Sequence, residues 1–374
     1  MLTRISDWLS LHAGLGRRQD GFSFLADCPP TGDAALARAG TVIDAIQKTI
    51  ETRDGYIAAN ALDPALWAPT AHWGGVINDF ACYRGLLAKD RACIDHLRRY
   101  AFMFTGTRLA TMRPARPEEG TDADIASIDG MLRKLARKTD PSVLRYSRIA
   151  RALPEDCCIA FPRVCGEVGW LLDGKIINPD TAVYIERVAL MREAGTLQRL
   201  REISGERPPR ILEISSGFGG LAYMLGRIFH GSQITLMDLP DSLAFAGSYL
   251  SIAAPDIPVS VWAANTPAGA SAPGYTVLPN YAFPALCDAG ASFDLVINTL
   301  SMSEMPSPQV EAYAAGIARL IGADGVFFEQ NQDNRHLGLI WCKEIIKKHF
   351  GRRETVAGKS VPGVTQGRAD MWRN

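Results

Sequence analysis

Two carboxylates bracket a glycine-rich stretch in this chain, and their placement says what that stretch can hold. Glu213 lies inside the apolar run Arg210-Ile-Leu-Glu-Ile214, which leads into Ser215-Ser-Gly-Phe-Gly-Gly220. Asp238 closes the next apolar run, Gln233-Ile-Thr-Leu-Met-Asp238. It falls roughly twenty residues beyond Gly217, the spacing at which an acid at the end of a second strand can accept both hydroxyls of a ribose. Gly217 and Gly219 allow the backbone to turn sharply and a ligand to approach it closely. The pattern is E-x-x-x-G-x-G, not G-x-G-x-x-G. A carboxylate at the first turn repels a pyrophosphate but suits the ammonium of a methionine moiety. Together the two acids favour S-adenosylmethionine over a nicotinamide dinucleotide. The plainer alternative is that the glycines only make turns and that Asp238 caps the helix starting near Ser242.

Such a site needs a strand, a turn and a helix to meet. Ile211 to Ile214, led in by Pro208 and Pro209, reads as a buried parallel strand. Leu221, Met224, Leu225 and Ile228 then recur at helical spacing, and the amides opening that helix point at whatever occupies the turn. Beyond Asp238, either Asp241 or Ser242 can cap a helix carrying Leu243, Phe245, Tyr249 and Leu250. Val259-Ser-Val-Trp262 and Tyr275-Thr-Val-Leu-Pro279 compete for the third strand, with Tyr275 to Leu278 favoured. Ser292 to Thr299 and Val326 to Gln330 are the later strands, separated by a helix from Ser307 to Ile321. A helix rich in Lys and Ile is expected up to Phe350, and Arg352 to Trp372 can close the sheet with two more strands. This alternation predicts an α/β, Rossmann-like doubly wound core over residues 206–374. Ligands of such sheets sit beyond the carboxyl ends of the strands, where Asn298 to Glu304 and Gln330 to His336 would join Gly217 and Asp238.

The residues before that core read differently. A mainly helical part is expected over 1–155, from Ala34 to Thr52 and again from Ile77 to Tyr100, with a Pro-, Glu- and Gly-rich loop from Arg113 to Thr121. The basic stretch Met131 to Arg151 reads as a solvated helix face; the sharper reading is a landing site for an anionic substrate. Residues 156–205 form a connecting segment. In it Gly166 to Lys175 ends in an Asp-Gly turn, and a helix starts at Ile177-Asn-Pro-Asp-Thr181. That helix carries Tyr184 and Arg187, either of which can meet the carboxylate of a bound methionine moiety. An ordinary surface role is the alternative for both.

Composition narrows the partners. The chain has 374 residues, 47% of them hydrophobic, enough for a substantial core. Lys and Arg number 40 against 40 Asp and Glu, which argues against binding to nucleic acid or a membrane surface driven by net charge. No apolar run is long enough to span a bilayer, and Met1 to Arg18 lacks the apolar segment of a signal peptide. The eight cysteines include no C-x-x-C pair, which fits reduced thiols in the cytoplasm and no metal site. Homodimerisation is left open.

The runs E-V-G-W-L-L-D-G-K-I-I-N-P-D-T-x-x-Y-x-E-R, L-E-I-S-S-G-F-G-G-L-A, M-D-L-P and F-D-L-V-I-N-T-L-S-M-S-E-M resemble the sugar O-methyltransferases, over about Phe161 to Asn331. The resemblance implies an S-adenosylmethionine-dependent enzyme with a Rossmann-like core that methylates a hydroxyl of a sugar-containing small molecule or glycan precursor. It implies that Glu213, Gly217 and Gly219 frame the methionine end, that Asp238 takes the ribose, and that Leu239 and Leu278 flank the adenine. Asn298 joins the cofactor residues at the head of a run to Glu304 that faces the acceptor. Ser215-Ser216 departs from the pattern, where glycines are expected. A sugar hydroxyl needs a base, for which Glu304 is nominated because it lies just past a strand end, with His336 as competitor. Transfer to nitrogen or carbon of a natural product is one alternative, and a non-catalytic binding protein is another.

Overall fold

Ile211, Leu212 and Ile214 are apolar on both faces of one strand, so that strand must be covered on both sides, and a parallel sheet between helices provides the cover. The computed structural model describes residues 23–25, 28–67, 81–100 and 141–374, apart from 265, 267, 270, 271, 360, 362, 363, 365 and 366. The expected loop at Arg113 to Thr121, the first part of the basic stretch and the N-terminal Met1 to Arg18 lie outside the described residues.

Among the described residues the central sheet has eight strands: β4 (Arg210–Ile214), β5 (Gln233–Asp238), β6 (Val259–Val261), β7 (Gly274–Pro279), β8 (Phe293–Thr299), β9 (Ile321–Gln330), β10 (Arg352–Thr355) and β11 (Asp370–Arg373). Their order is β10-β11-β9-β8-β4-β5-β7-β6. The pairings from β9 through β6 are all parallel, while β11 runs antiparallel to both β9 and β10. The fold is therefore α/β and Rossmann-like. Successive connections leave β4 toward β5 on one side and return to β8 on the other, which opens a crevice at the carboxyl ends. Both candidates for the third strand are strands: β7 pairs with β5, and β6 adds outside it.

A smaller sheet combines β1 (Ser23–Leu25), β2 (Gly169–Leu172) and β3 (Lys175–Ile177). The Asp173-Gly174 turn joining β2 to β3 has both residues at positive φ, 50° and 76°, the geometry that matches the twist of a tight hairpin. The Pro179–Glu193 helix follows at once. Asn178 caps it, accepting from the Thr181 amide at 3.0 Å while its own amide donates to the Thr181 hydroxyl at 2.8 Å. Every residue from Asp180 to Met191 is buried, because this helix packs against the Pro141–Ala150, Thr196–Ser204 and Gly220–Ile228 helices and against β3.

The long Asp33–Ala59 helix lays Ala39, Val42, Ile43 and Ile46 into the same apolar core as Leu243, Ala244 and Leu250 of the Pro240–Ala253 helix. The latter has no side-chain cap, contrary to the expectation for Asp241 or Ser242. It opens on a proline, whose missing N–H needs no acceptor, and Asp241 instead accepts the Tyr83 hydroxyl. The solvated-face reading of the basic stretch holds for the exposed Arg148 and Arg151 but not for Arg145, which is buried and forms an ion pair with Glu186. The expected helix up to Phe350 shrinks to one turn, Lys343–Ile346. Lys343 there is drawn inward to Asp370, 2.6 Å away, and to Glu329, 3.2 Å away. No helix among the described residues is long and apolar enough to cross a membrane.

Candidate functional site

The pocket sits in the crevice beyond β4, β5, β7 and β8. Its floor is the turn after β4. Ser215 has φ 62°, Gly217 57° and Gly219 84°, so the chain winds through the left-handed region three times in five residues. Ser215 occupies that region without being a glycine, at a cost of roughly 1–2 kcal/mol. Its amide donates to the Met237 carbonyl at 2.6 Å, which ties the turn to β5. A Cβ on Gly220 would stand 2.4 Å from the Tyr184 ring and 2.6 Å from the Phe218 ring, so glycine is what lets Tyr184 lie over the turn.

Asp238 stands at the tip of β5. One carboxylate oxygen accepts the Gly217 amide at 2.9 Å, and the other accepts the Leu239 amide at 2.7 Å. Burial pushes its carboxyl up to about 6, and those two amides hold it from rising further. The Ser242 hydroxyl donates to the same carboxylate, whose acceptor capacity of about four sites still exceeds these three donors.

The other end of the pocket holds opposite charges. Glu213 from β4 and Arg187 from the Pro179–Glu193 helix each expose only 3% of their surface, and both line the pocket. Glu213 Oε2 and Arg187 Nε have no hydrogen-bond partner among the described residues. Burial pushes the Glu213 carboxyl up to about 8, although the Arg187 charge pulls against the shift. Burial likewise lowers the Arg187 guanidinium, which lies 5.4 Å from the centroid of the Tyr184 ring. Buried charged atoms left unpaired are costly, so this arrangement fits a ligand that brings an ammonium and a carboxylate of its own.

Behind the turn the chemistry differs. Arg98 is fully buried, 2.8 Å from Glu167 and 3.0 Å from Asp180, with its guanidinium 3.6 Å from the centroid of the Phe218 ring. Asn178 donates to Glu167 at 2.8 Å. Burial opposes the Arg98 charge, but the two acids more than offset it and raise the guanidinium above its ordinary value.

Seven of the nominated residues line the pocket: Tyr184, Arg187, Glu213, Gly217, Asp238, Leu239 and Glu304. The other four do not. Gly219 caps the Gly220–Ile228 helix and faces Leu250 and Leu236. Leu278 is buried in the apolar core with Leu212 and Met237. Asn298 is buried with both ends of its amide in use: it donates to the Ile214 carbonyl and the Ser301 hydroxyl at 3.1 and 2.7 Å and accepts from Asn331 at 3.0 Å. It braces the loop and has no face for a ligand. His336 is exposed on a short turn, its ring held against the Asp333 carbonyl at 3.1 Å.

Sequence reasoning missed Ser242, Asn280, Gln309 and Tyr313, which also line the pocket. Asn280 left one usable signal, a polar residue directly after the last residue of a buried strand. Leu300, also in the lining, has φ 68°, and its amide donates to the Gln330 carbonyl at 2.9 Å. This left-handed residue turns the Ser301–Glu304 segment toward the crevice.

No family model matches the chain, and no curated protein sequence is similar to it. Solved structures similar to it include a TehB-like SAM-dependent methyltransferase from Corynebacterium glutamicum, at 17% identity over 51% of this chain and 96% of that one, TM-score 0.32. Another is the SAM-bound amino pentose methyltransferase CalS10 from Micromonospora echinaspora, at 13% identity over 49% and 90%, TM-score 0.34. A third is the N-methyltransferase NodS from Bradyrhizobium japonicum with S-adenosylhomocysteine, at 12% identity over 49% and 85%, TM-score 0.30. The pocket itself, rather than these likenesses, indicates the ligand. Its zwitterion-shaped end, its glycine turn and its paired acceptor at Asp238 fit S-adenosylmethionine in one continuous crevice.

Proposed function

We propose that this chain is an S-adenosylmethionine-dependent methyltransferase acting on a hydroxyl of a sugar-containing small molecule or glycan precursor. One observation carries the cofactor reading: Glu213 and Arg187 bring buried, unpartnered atoms of opposite charge to the end of the crevice whose other end is Asp238. Glu213 takes the methionine ammonium, Arg187 its carboxylate, and Asp238 the ribose hydroxyls. Hydrogen bonds to a charged partner are each worth about 1.5–3 kcal/mol, so three such groups account for tight binding without a pyrophosphate site. The cofactor supplies an electrophilic methyl group on a sulfonium.

The protein's own share of the reaction is orientation and a base. Holding a nucleophile in line at attack distance supplies roughly 7–11 kcal/mol. In this reading Glu304, which is half-buried and lines the pocket after β8, takes the acceptor hydroxyl's proton.

Calorimetric titration with S-adenosylmethionine and S-adenosylhomocysteine tests the reading, with Asp238→Ala as control. Binding by the wild type that is lost in the variant is the expected result. Wild-type protein that binds neither ligand, alone or with candidate acceptors present, overturns it. Product analysis by NMR then identifies the methylated atom; transfer to nitrogen or carbon would overturn the hydroxyl assignment and leave the cofactor in place.

A further inference from the structure

Phe218 is the one aromatic residue of the Ser215–Gly220 turn, and it is fully buried. The rings of Tyr249, Tyr184 and Phe161 meet it edge to face, with centroids 5.2, 5.8 and 6.1 Å away. Arg98 lies over it at 3.6 Å. That guanidinium cannot swing, because its edges are occupied. Its Nε donates to Glu167 at 2.8 Å and an Nη to Asp180 at 3.0 Å. Glu167 is fixed in turn, accepting from the Asn178 side chain at 2.8 Å and from the Val168 amide at 3.2 Å. The Arg98 amide also donates to the Cys165 carbonyl at 2.8 Å. A planar cation pinned by its edges keeps its plane, and its face is what remains to meet the ring.

The ring in turn fixes the backbone beside it. Phe218 stands between Gly217 and Gly219, both left-handed at φ 57° and 84°. Glycines at such positions have wide conformational freedom, so the placement of the ring between them decides where the Gly217 amide points. That amide donates to Asp238 at 2.9 Å.

We propose that Arg98 is a positioning residue for the ligand: through the Phe218 ring it holds the Gly217 amide on Asp238, so that a residue outside the Rossmann-like sheet sets how this carboxylate meets the ribose. The ribose role of Asp238 rests on the cofactor reading above, whereas the hold on Gly217 does not.

Two substitutions release the ring without changing a charge. Phe218→Leu keeps an apolar side chain but has no ring face, and Arg98→Lys keeps the cation but has no plane to stack. Glu213, Asp241 and Tyr313, the titratable groups that act on or feel the Asp238 carboxylate, stay in place in both, as does the Ser242 hydroxyl. The Asp238 carboxyl is followed by carbon-13 NMR in ligand-free, aspartate-labelled protein, with Asp238→Asn for assignment. Its titration, at about 6 in the wild type, is expected to move upward in both variants, because the Gly217 amide no longer stabilises the carboxylate. Calorimetry at neutral pH should show S-adenosylhomocysteine bound about tenfold more weakly or worse.

A merely structural role would lower stability and leave the titration where it was, or lower it where water enters the space left by the ring; either result overturns the proposal. A raised titration with unchanged affinity overturns the positioning of the ligand. If one variant fails to fold, the other decides. A wild type that does not bind S-adenosylhomocysteine, with the titration still raised in the variants, removes the cofactor reading and leaves the hold of Arg98 on Asp238 standing.

Discussion

Two buried charge clusters flank the glycine turn, and the Pro179–Glu193 helix contributes to both. At its start Asp180 joins Glu167 and Asn178 around Arg98, and the cluster consumes its own charges. Two turns later Arg187 approaches Glu213, and there Glu213 Oε2 and Arg187 Nε stay without hydrogen-bond partners among the described residues. The first cluster is a structural joint between the chain before residue 101 and the turn, through the ring of Phe218. The second lines the pocket, and in the proposed reading it receives the ligand's own charges. The difference teaches that burial of charge alone does not mark a binding site. The mark is burial of charge whose hydrogen-bonding capacity the protein leaves unused.

Substitutions can break or sharpen this contrast. The largest effect is expected at the acceptor side of the open pocket, where Glu304→Gln should lower turnover by about 10²–10⁴-fold while S-adenosylmethionine affinity stays unchanged. Steady-state kinetics beside calorimetry checks this, and a parallel loss of binding would move Glu304 from the base role into the cofactor site. Arg98→Ala comes next: it leaves Glu167 and Asp180 buried without their cation and should cost about 3–5 kcal/mol in a denaturant titration. Arg187→Met should do the opposite to the empty protein. It removes a buried charge that has no full set of partners, so stability should hold or rise, while cofactor binding weakens by about 1.5–3 kcal/mol. If Arg187→Met proved as destabilising as Arg98→Ala, the two clusters would be the same kind of structure and the contrast would fail.

The smallest expected effect, taken per pH unit, is in pH. The Glu213 carboxyl, ordinarily near 4.5, is pushed up to about 8 in the empty site. Its folded value is raised, so its contribution to the empty protein's stability is full below about 4.5 and is lost as pH rises through about 8. A bound ammonium reverses the preference and requires the carboxylate. Cofactor affinity should therefore increase with pH, by up to about tenfold per unit, until the ligand's own α-amino group deprotonates at about 8. Asp238, pushed up to about 6, adds the same trend at lower pH. Titrations between these limits should show the slope, with proton release on binding, and Glu213→Gln should flatten it.

Local signals carried the fold well. The strand into Ser215–Gly220, the Asp173-Gly174 hairpin and the closing strands β10 and β11 are each specified by a few adjacent residues. The pocket was legible where its residues sit at strand ends or in the turn, as Glu213, Gly217 and Asp238 do. It was not legible where a side chain's direction depends on distant partners. Asn298 ends β8 as a ligand residue could, yet Asn331, Ser301 and the Ile214 carbonyl engage its whole amide. Gln309 looks like any polar residue in a first helical turn until Leu66 reaches it from 243 positions away. Arg98 is one of two adjacent arginines near the end of an expected helix, with nothing beside it in sequence to mark it as buried, and only the meeting of Glu167, Asp180 and Phe218 explains its complete burial.

The two open margins of the eight-stranded sheet bear on how copies of this chain meet. At one margin β6 is only three residues long. At the other all four residues of β10 are exposed, and Arg352, Arg353 and Glu354 are among them. Short or charged margins resist the docking of a neighbour's strand. A concentrated solution should therefore not grow ribbons by extension of this sheet.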